Sequence, residues 1–265
     1  MEYYSTQYWN RGKRKKNEDS LCIEQVRTRK GSLFLACICD GIGGLSAGET
    51  ASGYTVETLA DWFQTKGIRA LQMGGLDYLA VCMKRELSAI SRKLSEYGSR
   101  AGIRLGTTAS VLVLWQNAYL ILQVGDSRIY RIRHGVKMLT RDQVNHRGEL
   151  VQGVGVSVPC TPGMDIGRVH AGDRFLLCSD GFYRKQSGRE LAELFGSPYF
   201  GMLRRGSFFS TVKEPGRDRQ PFGAAGRLHG WERKLAEVAE RLYRRGETDN
   251  ISAVLVFCER GGRLV

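Results

Sequence analysis

Between residues 107 and 139 the chain passes through four strand-like apolar stretches with almost nothing between them: 107–114, 118–124, 128–132 and 136–139. The links Gln116-Asn117 and His134-Gly135 are far too short for a crossover helix, which takes a dozen residues or more, so these strands must pair as antiparallel hairpins. A wholly parallel sheet is therefore ruled out. Two further strands, 21–26 and 33–39, flank the polar turn RTRKGS. Residues 48–63 carry Ala51, Thr55, Leu59 and Trp62 at helical spacing. A second helix follows, with an apolar stripe through Leu76, Leu79, Ala80, Met83, Leu87, Ile90, Leu94 and Tyr97. Later come a strand at 175–178, a short helix at 189–195, a long amphipathic helix through Trp231, Leu235, Val238, Ala239 and Leu242, and a closing strand at 251–258.

This is an α+β order of elements. It predicts a four-layer α-β-β-α sandwich, two antiparallel sheets with helices on their outer faces. With 265 residues, 42% of them hydrophobic, the chain can fill such a core. Residues 1–265 read as one domain. The one compositional break is a basic, glycine-rich insertion or loop at about 197–230. No apolar run reaches the roughly 20 residues of a membrane helix, and the amino terminus shows no signal-peptide pattern. Seven cysteines, several inside apolar runs and none in a C-x-x-C pair, fit free thiols in a reducing, cytoplasmic setting. The net charge of +13 favours anionic partners, with basic residues gathered at 11–16 and 204–245. No aromatic platform or helix-turn-helix pattern accompanies them, which argues against nucleic acid.

The chemistry is carried by aspartates at strand ends. Asp19 precedes the first predicted strand; Asp40, Asp126 and Asp180 follow apolar runs; Asp249 precedes the last. Five carboxylates at one sheet edge would repel one another, and divalent cations remove that cost. Duller explanations exist: Asp-Gly often marks a hairpin turn, Asp19 could cap a turn, and Asp126 could pair with Arg128. The turn reading fails at Asp40 and Asp180, because helix-like sequence rather than a strand follows each. Three other chemistries are weak. Ser46 in GLSAG lacks the strand directly before it that a hydrolase elbow needs. Cys178 and Arg184 fit C-x5-R, but Phe182 and Tyr183 crowd that loop and Cys178 continues an apolar strand. The stretch from Gly41 fails the dinucleotide fingerprint at Ser46.

RKKNEDS (14–20), DGIGGLSAGETAS (40–52), GTTAS (106–110), VGDSRIY (124–130), LTRD (139–142), CSDGFY (178–183) and TDNISAVLV (248–256) together resemble, in order, the motifs of the metal-dependent type-2C protein phosphatases. The resemblance covers 11–195 and 231–258 and is to compact bacterial members. It implies a Ser/Thr phosphatase that hydrolyses phosphoserine and phosphothreonine with a metal-activated water, in opposition to a kinase. It implies two Mn²⁺ or Mg²⁺ ions. Asp40 would bridge them, Gly41 would lend its carbonyl to one, and Asp180 and Asp249 would complete the other. Glu18 and Asp19 would act through water, Asp126 would serve a weaker third ion, and Arg14 would bind the substrate phosphate. A catalytically weak, phosphoprotein-binding regulator on the same fold is the alternative. Two departures stand out. Gln143 replaces the family's histidine after Asp142, with a shortened flap beyond it, and the 197–230 segment is longer and more basic than the pattern calls for.

Overall fold

The computed structural model describes residues 1–42, 47–196 and 228–260. Among the described residues ten strands form two five-stranded sheets. The first has the order β1 (Glu2–Asn10), β10 (Ile251–Glu259), β9 (Arg174–Cys178), β6 (Arg128–Ile132), β7 (Val136–Met138). The second has the order β2 (Asp19–Thr28), β3 (Gly31–Asp40), β4 (Ala109–Trp115), β5 (Ala118–Val124), β8 (Gly163–Arg168). Every pairing is antiparallel, as the short links require.

The side-chain period of two sorts β3 cleanly. Phe34, Ala36 and Ile38 meet Tyr3, Phe175, Leu177, Val254 and Val256 in the layer between the sheets. Leu33, Leu35, Cys37 and Cys39 face the other way, onto Leu59, Leu79, Met83, Leu87 and Ile90 of α1 (Gly48–Trp62) and α2 (Ile68–Ala101). On the far side Leu176, Cys178, Ala253 and Leu255 pack under α3 (Asp180–Tyr183), α4 (Gly188–Phe195) and α5 (Leu228–Arg244). The expected four layers are present. Both sheets are covered on both faces, so β3 and β10 read as unbroken apolar runs.

Three sequence expectations need correction. Residues 2–10, to which the sequence assigned no element, form β1 and pair in register with all of β10 from Glu2–Glu259 to Asn10–Ile251. Residues 163–168 form β8, an edge strand of mixed polarity with little apolar content to betray it. The second helix begins before Leu76: a π-helical turn at Phe63–Gly67 joins α1 to α2, and the helix breaks at Gly74-Gly75, where Gly75 has φ 66°. The stripe legible from Leu76 onward is the part beyond that break. Ser46 and nearly all of 197–230 lie outside the described residues. No helix among the described residues is long and apolar enough to cross a membrane.

The inter-sheet layer should dominate stability. Phe175 is fully buried and meets Tyr119 edge to face at 5.6 Å. Phe175→Ala should cost about 3–5 kcal/mol in urea unfolding. Replacing the exposed Tyr97 by Ala should change stability by less than about 0.5 kcal/mol.

Candidate metal centre

The inward parity of the strands continues past the apolar layer at one end and turns polar there. Asp19 and Asp40 are register partners at the ends of β2 and β3, on the same parity as Leu21, Ile23, Phe34, Ala36 and Ile38. Ser179, following β9, and Ser252 of β10 lie on the inward parity of the other sheet. Both hydroxyls donate to Asp19 Oδ2, at 2.9 Å from Ser179 and 2.6 Å from Ser252. The two sheets are thus pinned together through one buried carboxylate. Its Oδ1 is also buried and accepts from no donor among the described residues. A buried carboxylate oxygen left without a donor is one that a cation could satisfy.

The main chain around Asp40 is held on all sides. Thr108 N–H and Thr107 Oγ1 donate to its carbonyl at 2.8 and 2.9 Å, while Asp40 N–H donates to Thr108 Oγ1 at 2.9 Å. Thr108 Oγ1 in turn meets Ser127 Oγ at 2.8 Å, beside Asp126. Gly41 donates its N–H to the Glu18 carbonyl at 3.0 Å. A Cβ on Gly41 would come within 2.6 Å of the Gly48 backbone and 2.7 Å of the Glu18 carbonyl. The glycine is required by backbone crowding.

Asn250 fastens the arginine-bearing loop to β10. Its Nδ2 donates to the carbonyls of Arg11 at 2.8 Å and Lys16 at 3.0 Å, and its Oδ1 accepts from Glu18 N–H at 2.9 Å. Arg14, about half exposed, consequently reaches over the mouth and donates to Asp249 Oδ2 at 2.9 Å. Asp180 starts α3, and Arg184, just after that turn, contacts its Oδ2. The same guanidinium lies 3.4 Å from Asp249 Oδ2 and 3.8 Å from Glu247 Oε1. Asp126 follows β5 in a turn braced by Gln143, whose Oε1 accepts from Gly125 N–H at 2.8 Å and whose N–H donates to Gly125 O at 3.1 Å. Arg128 forks onto Asp142 at 2.7 Å and stacks on Tyr183, so it is not the partner of Asp126.

All eight sequence-derived residues, Arg14, Glu18, Asp19, Asp40, Gly41, Asp126, Asp180 and Asp249, therefore stand around this one end of the sandwich. Among the described residues no three His, Cys, Asp or Glu side chains are drawn close enough to enclose an ion as placed. Asp180 and Asp249 instead rest on guanidinium groups. The donors are hard oxygens throughout, the set that suits Mg²⁺ or Mn²⁺. Electrostatics point the same way. Desolvation first, then repulsion from Asp19, Asp126 and Asp249, pushes the Asp40 carboxyl well above its usual range. Burial outweighs the two serine hydroxyls and raises Asp19 as well. Asp126 is raised by burial and by Asp142, and Glu18 by burial and by Glu49.

Residues that sequence reasoning missed are mostly supports: Ser179, Ser252, Thr107, Thr108 and Asn250; Gln143, singled out only as a departure from the family, is a further one. Ser179 and Ser252 share the inward parity of neighbouring core residues, the one signal that could have exposed them. Cys178, weighed as a nucleophile, is fully buried in β9, and burial pushes its thiol far up. It is a core residue. All seven cysteines are free thiols.

Comparison with known proteins places this geometry. The chain is 27% identical over 207 residues to the protein phosphatase PhpP of Streptococcus pneumoniae, covering 70% of this chain and 80% of that protein. It is 25% identical over 195 residues to the serine/threonine phosphatase stp of Listeria monocytogenes, covering 65% and 75%. The solved structure of a Streptococcus agalactiae serine/threonine phosphatase superposes with a TM-score of 0.74 at 22% identity, over 97% of this chain and all of that one. The profile of protein phosphatase 2C matches residues 8–214, more than half of the chain and a span that holds Arg14, Glu18, Asp19, Asp40, Gly41, Asp126 and Asp180, so the chain belongs to the protein phosphatase 2C family.

Proposed function

We propose that this protein is a serine/threonine protein phosphatase that removes phosphate from phosphorylated proteins, in opposition to a kinase. The observation that carries this reading is the ring of desolvated carboxylates at the sandwich mouth, with a half-exposed arginine held above it. The family is metal-dependent. Divalent ions of the Mn²⁺ or Mg²⁺ class supply a water activated near neutral pH and positive charge for the phosphoryl oxygens. Asp40 would serve both ions, Gly41 O would serve one, Asp180 and Asp249 would complete the shell of the other, Glu18 and Asp19 would act through water, and Asp126 would serve a weaker third position. Arg14 binds the phosphate: its planar fork matches a phosphate dianion, and its attachment to the Asn250-anchored loop aims it over the aspartates. The supports keep these carboxylates in place before substrate arrives, which is where rigid positioning helps catalysis most. No protein nucleophile is needed. We read residues 1–265 as one catalytic domain, with 197–230 as its basic insertion. The same carboxylate set speaks against a catalytically weak regulator.

The direct test is hydrolysis of a phosphothreonine peptide with Mn²⁺, with Mg²⁺ and in excess chelator. Activity should vanish in chelator and survive thiol alkylation; full activity in chelator would overturn the reading. Asp40→Asn, Asp180→Asn and Asp249→Asn should each lower turnover by more than about a hundredfold, since even outer-shell partners of a metal are worth up to that. Arg14→Ala should mainly raise KM, because it removes phosphate binding and leaves the carboxylates intact.

A second prediction concerns pH. Asp19 is pushed up to about 6 by burial, whereas an aspartate in the unfolded chain titrates near about 3.9. Between those values the folded protein holds the extra proton, so this group's stabilising contribution is lost as pH rises through the folded value. Asn at position 19 can still accept from Ser179 and Ser252 and does not ionise. In chelator, Asp19→Asn should therefore gain on the wild type in urea unfolding as pH is raised from about 4 to about 7. A variant that instead falls further behind with rising pH would contradict this assignment.

A further inference from the structure

Arg184 lies across two of the carboxylates at the sandwich mouth, Asp180 and Asp249. It directly follows α3, and its N–H donates to the Asp180 carbonyl at 2.8 Å. That turn brings its side chain back over Asp180, four residues earlier, while Asp249 arrives from the start of β10. One guanidinium nitrogen contacts Asp180 Oδ2; the other lies 3.4 Å from Asp249 Oδ2 and 3.8 Å from Glu247 Oε1. It also offsets part of the charge on Asp40 and Asp126. Asp180 and Asp249 come from different segments, and this arginine spans both.

We propose that Arg184 is a built-in counter-ion that a divalent cation must displace from Asp180 and Asp249, and that it thereby sets the affinity of that ion position. The inference rests on the metal reading above. A carboxylate lone pair engaged by a guanidinium N–H cannot also coordinate an ion, so each contact competes directly with the ligand it covers. Because Arg184 is about half exposed, its ion pairs are weak enough to be broken by an ion of double charge, yet they lower the ion's apparent affinity. The arginine thus holds the two aspartates near each other and makes the position a loose one.

The experiment is titration of Mn²⁺ into metal-free wild-type protein, Arg184→Gln and Arg184→Lys by calorimetry, with circular dichroism to establish that each variant folds. Arg184→Gln should bind Mn²⁺ about 3- to 30-fold more tightly, the range expected when two half-exposed ion pairs no longer compete. Arg184→Lys, which keeps a point charge but loses the fork, should fall between the two. The gain should persist in about 0.5 M NaCl, where long-range fields are screened but direct contact is not. Equal or weaker Mn²⁺ binding by Arg184→Gln, with the wild type binding normally, would overturn the proposal and leave the metal reading intact. A gain that disappears in salt would reduce Arg184 to a distant charge and would also overturn it. If neither the wild type nor any variant binds Mn²⁺, the metal reading itself fails, and this proposal with it.

Discussion

The interaction on which the site depends is the pair of hydroxyl donations from Ser179 and Ser252 of one sheet to Asp19 of the other. Two apolar faces packed together have no intrinsic reason to stop in a defined relation at their open end. A buried carboxylate that takes hydrogen bonds across the gap supplies that relation, and an unsatisfied one would be severely destabilising. Since Asp19 is the register partner of Asp40, fixing one fixes the other. The strand ends carrying Asp180 and Asp249 are tied in by the same two serines, through Ser179 N–H to Ser252 O at 3.0 Å and Ser252 N–H to Ser179 Oγ at 3.1 Å.

Around that clasp the protein assembles a negative mouth in a strongly basic chain. Burial first, and repulsion from neighbouring carboxylates second, raises the carboxyls of Asp19, Asp40 and Asp126. Two arginines relieve part of this, and they differ in how they are mounted. Arg14 rides on a loop fastened by Asn250. Arg184 follows α3, one turn after Asp180, and lies across Asp180 and Asp249. A site of this kind trades stability for charge that a ligand can neutralise. The stretch after Asp142 is tied to the helical layer: Ser91 of α2 donates to the Ser157 carbonyl at 2.8 Å and accepts from Gly155 N–H at 3.0 Å.

Much of the fold was legible because both sheets are buried on both faces and joined by tight links. Continuous apolar runs then give strands, and link length gives their direction. β1 escaped because its sequence mixes Tyr, Gln, Asn and Trp on a half-covered strand, and only pairing with all of β10 gives it a place. β8 escaped because an edge strand owes its existence to the neighbour it bonds. The carboxylates were legible through their position at the ends of apolar runs. Their supports were not, because a serine or threonine next to a strand is equally at home capping a turn.

The sequence by itself determined the element order, the antiparallel pairing and the identity of the chemically loaded residues, since these follow from local periodicity, link length and side-chain type. Only the tertiary structure decided that Asp19 is the inter-sheet clasp, that Gly41 is demanded by the backbones of Glu18 and Gly48, that Arg128 belongs to Asp142, and that Arg184 lies across Asp180 and Asp249. Each of these joins segments remote in the chain. Which polar atom meets which depends on how two twisted sheets come to rest against each other, and no local pattern encodes that.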